Sequence, residues 1–425
     1  MRNNRNKTNE ASFLVATKDS HGMFETLRTV LRFRELELDP VARRLRGVAD
    51  IEDLRRIARR RLPRGVFDYI DGGAEDEITL RRNTAAFREL EFRPRVLRDV
   101  GVIDTTTQLL GRTLPVPLVL APTGFTRIVC PEGELAVARA AAAADLPYTL
   151  STMSTRSIEE VAAVSQSAKW FQVYVWNDRE LMESMLERAK VSGYEAIVIT
   201  VDTAMLGRRE RDVRRGFTLP PKLGLSTLLD GAVHPAWTWA FARSEPIVFA
   251  NVVGGAVDDG SDPVSLSEYI GNQFDPSLSW NDVAWFRARW NGPIVLKGVQ
   301  SVDDARLAVD AGVDAIALSN HGGRQLDGAP PPIELVAPVA AAVGGSIEII
   351  CDGGVRRGSD IAKALALGAT ACMVGRPYLY GLAAGGERGV TAVIDQLAGG
   401  LARTMALVGA RDVVSLTPAL VRSRS

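Results

Sequence analysis

The sequence is poor in cysteine and histidine. Three cysteines, Cys130, Cys351 and Cys372, are scattered over 425 residues without a CxxC pair. That spacing indicates neither a disulfide framework nor a zinc site, no metal is expected, and a reducing cytosol suits it. Only His21, His234 and His321 occur, so any imidazole chemistry has a very short list of candidates. Excess charge is missing too. Lys+Arg and Asp+Glu each number 51, which argues against a chain devoted to nucleic acid, where a basic excess is usual. No run of eighteen apolar residues is present, so a membrane-spanning helix is not expected. The first twenty residues lack the apolar stretch of a secretory signal. A cytoplasmic location follows as the expectation.

What is present is a hydrophobic content of 46%, normal for a soluble globular chain and enough for a sizeable core. The length suits either two average domains or one large α/β barrel. Residues 1–47 are polar and without period, and read as a flexible extension ahead of a catalytic domain over 48–420. The segment IEDLRRIARRRLP places Ile51, Leu54, Ile57 and Ala58 on one helical face and stops at Pro63. Gly72–Gly73 then breaks the next stretch into two helical pieces.

Eight short apolar runs follow, at 115–122, 147–151, 170–175, 196–202, 293–298, 315–320, 347–354 and 371–376. Each is continuous rather than alternating, as parallel strands covered on both faces are. Ala-rich helical patterns such as GELAVARAAAAA and GSDIAKALALG separate them. Eight strand–helix units favour a closed (β/α)8 barrel, with an N-terminal helical segment, over a doubly wound open sheet. One connection breaks the rhythm. Residues 203–292, after the fourth strand, exceed the usual loop of roughly 4–6 residues many times over. This long lid or insertion holds Trp237, Trp239, Trp280, Trp285 and Trp290, and its NVVGGAVDDGSDP piece reads as a flexible stretch.

Barrel enzymes gather their chemistry at the carboxyl ends of the strands. Those ends read Pro122-Thr123-Gly124, Ser151, Gln172 and Tyr174, Thr200 and Asp202, Lys297, Ser319 and His321, Asp352, and Gly375-Arg376. In SNHGGRQLDG (319–328), His321 leaves a strand and two glycines let the backbone turn tightly. Arg324, three residues on, could grip a carboxylate with two bonds. The plain alternative is a core histidine and a surface arginine. CDGGVRRGSD (351–360) and MVGRP (373–377) follow the seventh and eighth runs, where this architecture usually binds phosphate. Gly353, Gly354 and Gly375 would offer N–H groups and Arg356 and Arg376 charge, with the helix opening at Gly358–Ser359 adding a positive dipole end. Lys297 is either a rim lysine with a buried stem or a cation set against a cofactor that becomes negative. Asp202 is either a helix cap or the partner of an imidazolium.

Taken together, SNHGGRQLDG, DGGVRRGSDI, FQ.YV, VDT...GRRERD and YI.GGAEDE resemble the FMN-dependent 2-hydroxy acid oxidases and dehydrogenases from about residue 50 to 420. HPAWTWA and YIGNQFDPSLSWNDVAW are similar to the long loop of the bacterial quinone-linked L-lactate enzymes. The resemblance implies FMN across the barrel mouth. Its ring would meet Pro122, Thr123, Gly124, Ser151, Gln172 and Thr200, with Lys297 near the N1/O2 edge and Ser319 close by. Asp352 would hold the ribityl chain, and Gly353, Gly354, Arg356, Gly375 and Arg376 the phosphate. Arg324, Arg209 and Tyr69 would hold the substrate carboxylate, Tyr174 its hydroxyl or keto oxygen, and Met153 would shape the pocket. His321 would take the proton, charged and held by Asp202.

The implied activity is oxidation of an L-2-hydroxy acid, L-lactate first, with electrons passing to quinone or another acceptor. Gly124 stands where efficient oxidases of this group tend to carry alanine, which favours such an acceptor over oxygen. An oxidase forming hydrogen peroxide is the alternative. An FMN isomerase without net redox change fits the paired arginines poorly, and a degenerate flavin protein fits the complete residue set poorly. The resemblance also implies a homotetramer. For PAWTWAFA, packing of the tryptophans on the barrel or a neighbouring subunit ranks ahead of insertion into a lipid interface. Peripheral contact with the inner face of the membrane remains compatible with a quinone-reducing role.

Overall fold

The eight apolar runs form eight parallel strands that close on themselves. The structure is a computed structural model, and it describes residues 37–215, 225–252 and 273–424. In chain order the strands are β1 (Leu90–Phe92), β2 (Thr107–Leu109), β3 (Arg112–Leu114), β4 (Leu118–Leu120), β5 (Tyr148–Ser151), β6 (Lys169–Tyr174), β7 (Ala196–Thr200), β8 (Ile294–Val299), β9 (Ala315–Ser319), β10 (Glu348–Asp352), β11 (Ala371–Val374) and β12 (Val421–Ser423). Strands β4 to β11 make the barrel, and β11 pairs back onto β4. The short pairs β1–β12 and β2–β3 lie outside it.

The mainly apolar runs AIVIT and AIALS are buried along their whole length, because one face fills the barrel and the other meets helices. Val119, Trp170, Val198, Val295, Ile350 and Met373 belong to the apolar cluster that Leu109 and Leu114 of the β2–β3 hairpin also join. The hairpin is tied in by Leu110 N–H, which donates to Glu348 Oε2 at 2.7 Å at the start of β10. The amino-terminal end of the barrel is therefore plugged, and chemistry is left to the carboxyl end.

Strand register sets that end. Ser151 pairs with Gln172, Tyr174 with Thr200, Thr200 with Lys297, and Ser319 with Asp352. These residues, at or near the carboxyl ends of six neighbouring strands, thus gather at one end of the barrel. Leading into the barrel, the helix Ile51–Arg61 begins with a capping box on Asp50 and buries Ile51, Leu54 and Ala58. Gly72–Gly73 separates the helices Arg64–Asp71 and Ile78–Ala85, and the next residue, Ala74, donates its N–H to Gly323 O at 2.8 Å. That bond fastens the helical segment to the loop carrying His321.

Residues Arg44–Ser425 make one compact unit. The expected flexible extension lies mostly outside the described residues; its described part, 37–47, contains the short helix Pro40–Leu45. The long connection holds the helices Glu210–Arg215, Leu225–Ala232, Pro235–Ala242 and Trp280–Arg287. The expected flexible stretch at 251–263 falls outside the described residues except for Asn251 and Val252. Both flanks of that gap are fastened. Asn251 Nδ2 donates to Ser154 Oγ at 2.8 Å, and Gln273 O accepts from Asn177 N–H at 2.9 Å. Of the tryptophans, Trp290 is buried and Trp237 bonds Ile128 O at 2.8 Å, whereas Trp239 is 62% exposed.

Candidate active site

The carboxyl end of the barrel opens into a cavity of about 610 Å³, within the roughly 300–1,000 Å³ usual for small-molecule and cofactor sites. At its centre stands His321, which has φ +57°, followed by Gly322 at +65° and Gly323 at +74°. Three successive left-handed residues reverse the chain at once as it leaves β9, and a non-glycine residue in that region costs about 1–3 kcal/mol. The turn aims the imidazole across the cavity. Its Nδ1 lies 3.0 Å from Asp202 Oδ1. Burial, helped by the charges of Lys297 and Arg324, draws the His321 pKa below the ordinary imidazole value, while Asp202 opposes the shift. Burial alone would raise the Asp202 carboxyl, but His321 bonded beside it and the charge of Lys297 outweigh it and hold it low. The pair is a carboxylate beside a neutral imidazole, with Nε2 left for a proton.

Two guanidinium groups flank one phenol. Arg324 sits 5.2 Å and Arg209 5.7 Å from the Tyr69 ring centroid. Arg324 Nη1 donates to Tyr69 O at 2.6 Å, and Arg209 Nε to Asp212 Oδ2 at 2.8 Å. Burial and the neighbouring Arg209 push Arg324 down to about 9. Arg324 is a buried cation short of negative charge, and a carboxylate placed between it and Arg209 would relieve that strain. Tyr174 also lines the cavity, its ring edge-on to Phe274 at 5.2 Å. Burial, and then the charge of Asp202, raise its pKa, so the phenol keeps its proton and can donate it to an oxygen.

Across the floor, Lys297 Nζ lies 2.9 Å from Asp352 Oδ2 and donates to Ser319 Oγ at 3.1 Å. Ser319 Oγ in turn donates to Asp352 at 2.8 Å. Burial would neutralise the lysine, but Asp352 and Asp202 raise its pKa and keep it charged. At the far end, Gly353 (φ +134°) and Gly354 (φ +84°) form the turn after β10. A Cβ on Gly354 would stand 1.9 Å from Asn83 O, so only glycine fits there.

Most of the residues singled out in the sequence line this one cavity: Tyr69, Pro122, Thr123, Gly124, Met153, Tyr174, Arg209, Lys297, His321, Arg324, Asp352, Gly353, Gly354, Arg356, Gly375 and Arg376. Ser151, Gln172, Thr200, Asp202 and Ser319 do not; they lie behind its wall and floor. Two features depart from the sequence reading. The helix opening at Gly358–Ser359 does not line the cavity, and the Asp360 carboxylate in its first turn accepts the Arg356 and Arg357 N–H groups, each at 2.9 Å. Gly358 itself is pressed against the Leu401 backbone. The helix end at the cavity is that of Arg376–Gly385, whose Gly375, Arg376 and Pro377 line it. Arg376 is also less free than expected. Its guanidinium bonds the carbonyls of Ile70, Gly322 and Gly72 at 3.1, 2.9 and 2.7 Å, binding the helical segment to the His321 loop.

The sequence reading missed Asn83, which exchanges two side-chain bonds with Asn320 at 2.8 and 2.7 Å. Asn320 lies inside the SNHGG motif and was the available signal. Phe249 and Phe274, cavity residues from the two flanks of the long connection, carried none.

A planar, phosphorylated cofactor fits these residues. The Gln172 Oε1 accepts from Ser151 at 2.9 Å, yet its buried Nε2 has no partner. A heterocycle carbonyl above the floor would satisfy that donor. The glycine turn, Arg356 and a helix N-terminus then stand together where a phosphate needs N–H groups and charge.

A parallel barrel with paired arginines, a His–Asp pair and a buried lysine in its floor has the make-up of a flavin-type barrel oxidoreductase. The family model for FMN-dependent dehydrogenases matches residues 58–423, and the chain belongs to that family. Its cofactor is accordingly FMN. The L-lactate dehydrogenase of Caulobacter vibrioides is 42% identical over 378 residues, covering 89% of this chain and 98% of the relative. The glycolate oxidase of Spinacia oleracea is 42% identical over 370 residues, covering 87% and 94%. Among solved structures, the monotopic membrane protein (S)-mandelate dehydrogenase superposes with a TM-score of 0.85 at 40% identity, covering 89% of this chain and all of that one.

Proposed function

We propose that this chain oxidises an L-2-hydroxy acid, L-lactate first, to the 2-oxo acid, with His321 as the base. The observation that carries the reading is the 3.0 Å contact between His321 Nδ1 and Asp202, with Arg324 beside it on the same loop. Arg324 and Arg209 hold the substrate carboxylate, Tyr69 supports both, and Tyr174 donates to the substrate hydroxyl. Fixing the carboxylate and the hydroxyl oxygen orients the reacting hydrogen, whether on carbon or on oxygen, and such orientation contributes several kcal/mol. Nε2 of His321 takes the proton, and Asp202 stabilises the resulting imidazolium. Bound FMN supplies the two-electron acceptor. Ser151, Gln172, Thr200 and the Pro122–Gly124 backbone would hold its ring, Lys297, with Ser319 bonded to it, would set positive charge against it, Asp352 would meet its ribityl chain, and Gly353, Gly354, Arg356, Gly375 and Arg376 would meet its phosphate.

Electrons then pass to quinone or another acceptor. Gly124 and the likeness to lactate and mandelate dehydrogenases support this reading. The glycolate oxidase likeness keeps the oxygen-using alternative in play. Peripheral membrane contact at the cytoplasmic face is part of the proposal. No described helix is long and apolar enough to cross a membrane. The helices Leu225–Ala232 and Pro235–Ala242, with the turn between them, do present Leu229, Val233, Trp239 and Phe241 to the outside, as an interfacial element would. A homotetramer, and a boundary between extension and catalytic domain near residue 47, are proposed on the family resemblance alone. Anaerobic addition of L-2-hydroxy acids tests the core of the reading. Bleaching of the flavin by L-lactate, and slower bleaching by the D-enantiomer, is expected. A flavin that no 2-hydroxy acid bleaches would refute it.

A further inference from the structure

One fully buried acid takes no part in the chemistry above. Glu134, the first residue of the helix Glu134–Ala143, has no exposed surface, and no salt bridge reaches its carboxylate among the described residues. It joins two loops instead. From the loop after β5 it accepts Thr155 N–H at 2.8 Å and the Thr155 hydroxyl at 2.7 Å, and from the loop after β4 it accepts Thr126 N–H at 3.4 Å. The Thr155 hydroxyl also accepts Arg127 N–H at 3.2 Å, closing the link. Burial raises the Glu134 pKa, and these donors work against that rise.

The same two loops bring Gly124 and Met153 to the cavity. Phe125 N–H donates to Met153 O at 2.9 Å, and a Cβ on Gly124 would lie 2.9 Å from Met153 Cβ. The loops touch with no slack, so a shift of a few tenths of an ångström in either moves the cavity wall. Arg127 extends the link by bonding Glu245 O and Pro246 O at 2.7 and 3.2 Å, just ahead of Phe249 on the same wall.

We propose that Glu134 is a positioning residue for substrate selectivity: by clamping the loops after β4 and β5 it sets the spacing of Gly124, Met153 and Phe249 around the substrate side chain. The inference rests on the proposed 2-hydroxy acid oxidation and concerns which acid is preferred, not whether one is oxidised. Removing the clamp frees two N–H groups and a hydroxyl to seek other partners, so the loops separate and the wall recedes.

The test compares kcat/KM for L-lactate and for L-2-hydroxy-4-methylpentanoate in the flavin-loaded enzyme. Glu134→Ala should shift the ratio toward the larger acid by about tenfold, the scale on which a pocket distinguishes one or two methylenes. Most of the change should appear in KM. Glu134→Gln, which still accepts both N–H groups, should keep the ratio within about twofold of the native value. Thr155→Val leaves the helix intact and removes only the hydroxyl link, so it should shift the ratio in the same direction. An unchanged ratio in Thr155→Val and Glu134→Ala, or a Gln variant as altered as the Ala variant, overturns the inference. Failure of the native enzyme to oxidise either acid instead overturns the proposed function.

Discussion

Lys297 and Asp202 both act on His321, and they act in opposite directions. The charge of Lys297 lowers the imidazole pKa and that of Asp202 raises it, while burial dominates and keeps it below its ordinary value. The base is therefore free of its proton at neutral pH, and the acid limb of kcat/KM should fall below the usual imidazole range. Activity is lost as pH drops through that limb, because the protonated ring cannot accept a second proton. Asp202→Asn removes the raising partner, so the limb should move to lower pH. Turnover should also drop by about 10²–10⁴, since the imidazolium loses its counter-charge. Lys297→Met should move the limb upward. A pH–rate series on both variants checks the two signs.

The anion clamp gives a sharper demand on geometry. Arg324 already spends Nη1 on Tyr69 O and Gly72 O, and it lies close to Arg209. A lysine cannot make both sets of bonds. Arg324→Lys should therefore lower kcat/KM by about 10²–10³, the loss expected when one member of a desolvated charge pair is cut away. Steady-state kinetics against L-lactate concentration reads this directly.

Gly354 should tolerate nothing larger. Alanine there meets Asn83 O at 1.9 Å with φ held at +84°. The expected cost is about 1–3 kcal/mol of stability from the backbone conformation alone, with further loss of FMN from the displaced turn. Melting temperature and flavin content of the purified variant measure both.

The proposed membrane contact rests on a few exposed side chains. Trp239 has Arg243 stacked 4.0 Å from its ring centroid, so an amphipathic pair faces outward. Replacing Trp239 and Phe241 with serine should reduce flotation with anionic vesicles while leaving kcat for a soluble acceptor unchanged. Flotation equal to that of the native chain would exclude this surface.

Much of the architecture could be read from the sequence, because parallel barrel strands are buried on both sides and show as continuous apolar runs. All eight runs coincide with barrel strands, and β7 and β9 match theirs almost residue for residue. His321 was legible because histidine is rare here and two glycines follow it. Other details depended on three-dimensional packing. The helix at Gly358 reads as a dipole end at the site, yet it does not line the cavity, and Asp360 in its first turn bonds the Arg356 and Arg357 N–H groups; an acid two residues into a helix reads the same whether it faces the helix or a ligand. Arg376 likewise carries no sequence mark showing that its nitrogens go to three backbone carbonyls. Phe249 and Phe274 reach the cavity only because the flanks of the long connection are fastened to the loops beside β5 and β6.

The central claim is that His321 is the proton acceptor and not part of the cofactor site. Rapid mixing of the His321→Gln variant with L-lactate under anaerobic conditions tests it most directly. The variant should purify yellow with full FMN content, and its flavin should bleach at least about 10² more slowly than that of the native enzyme. Bleaching at the native rate would contradict the account.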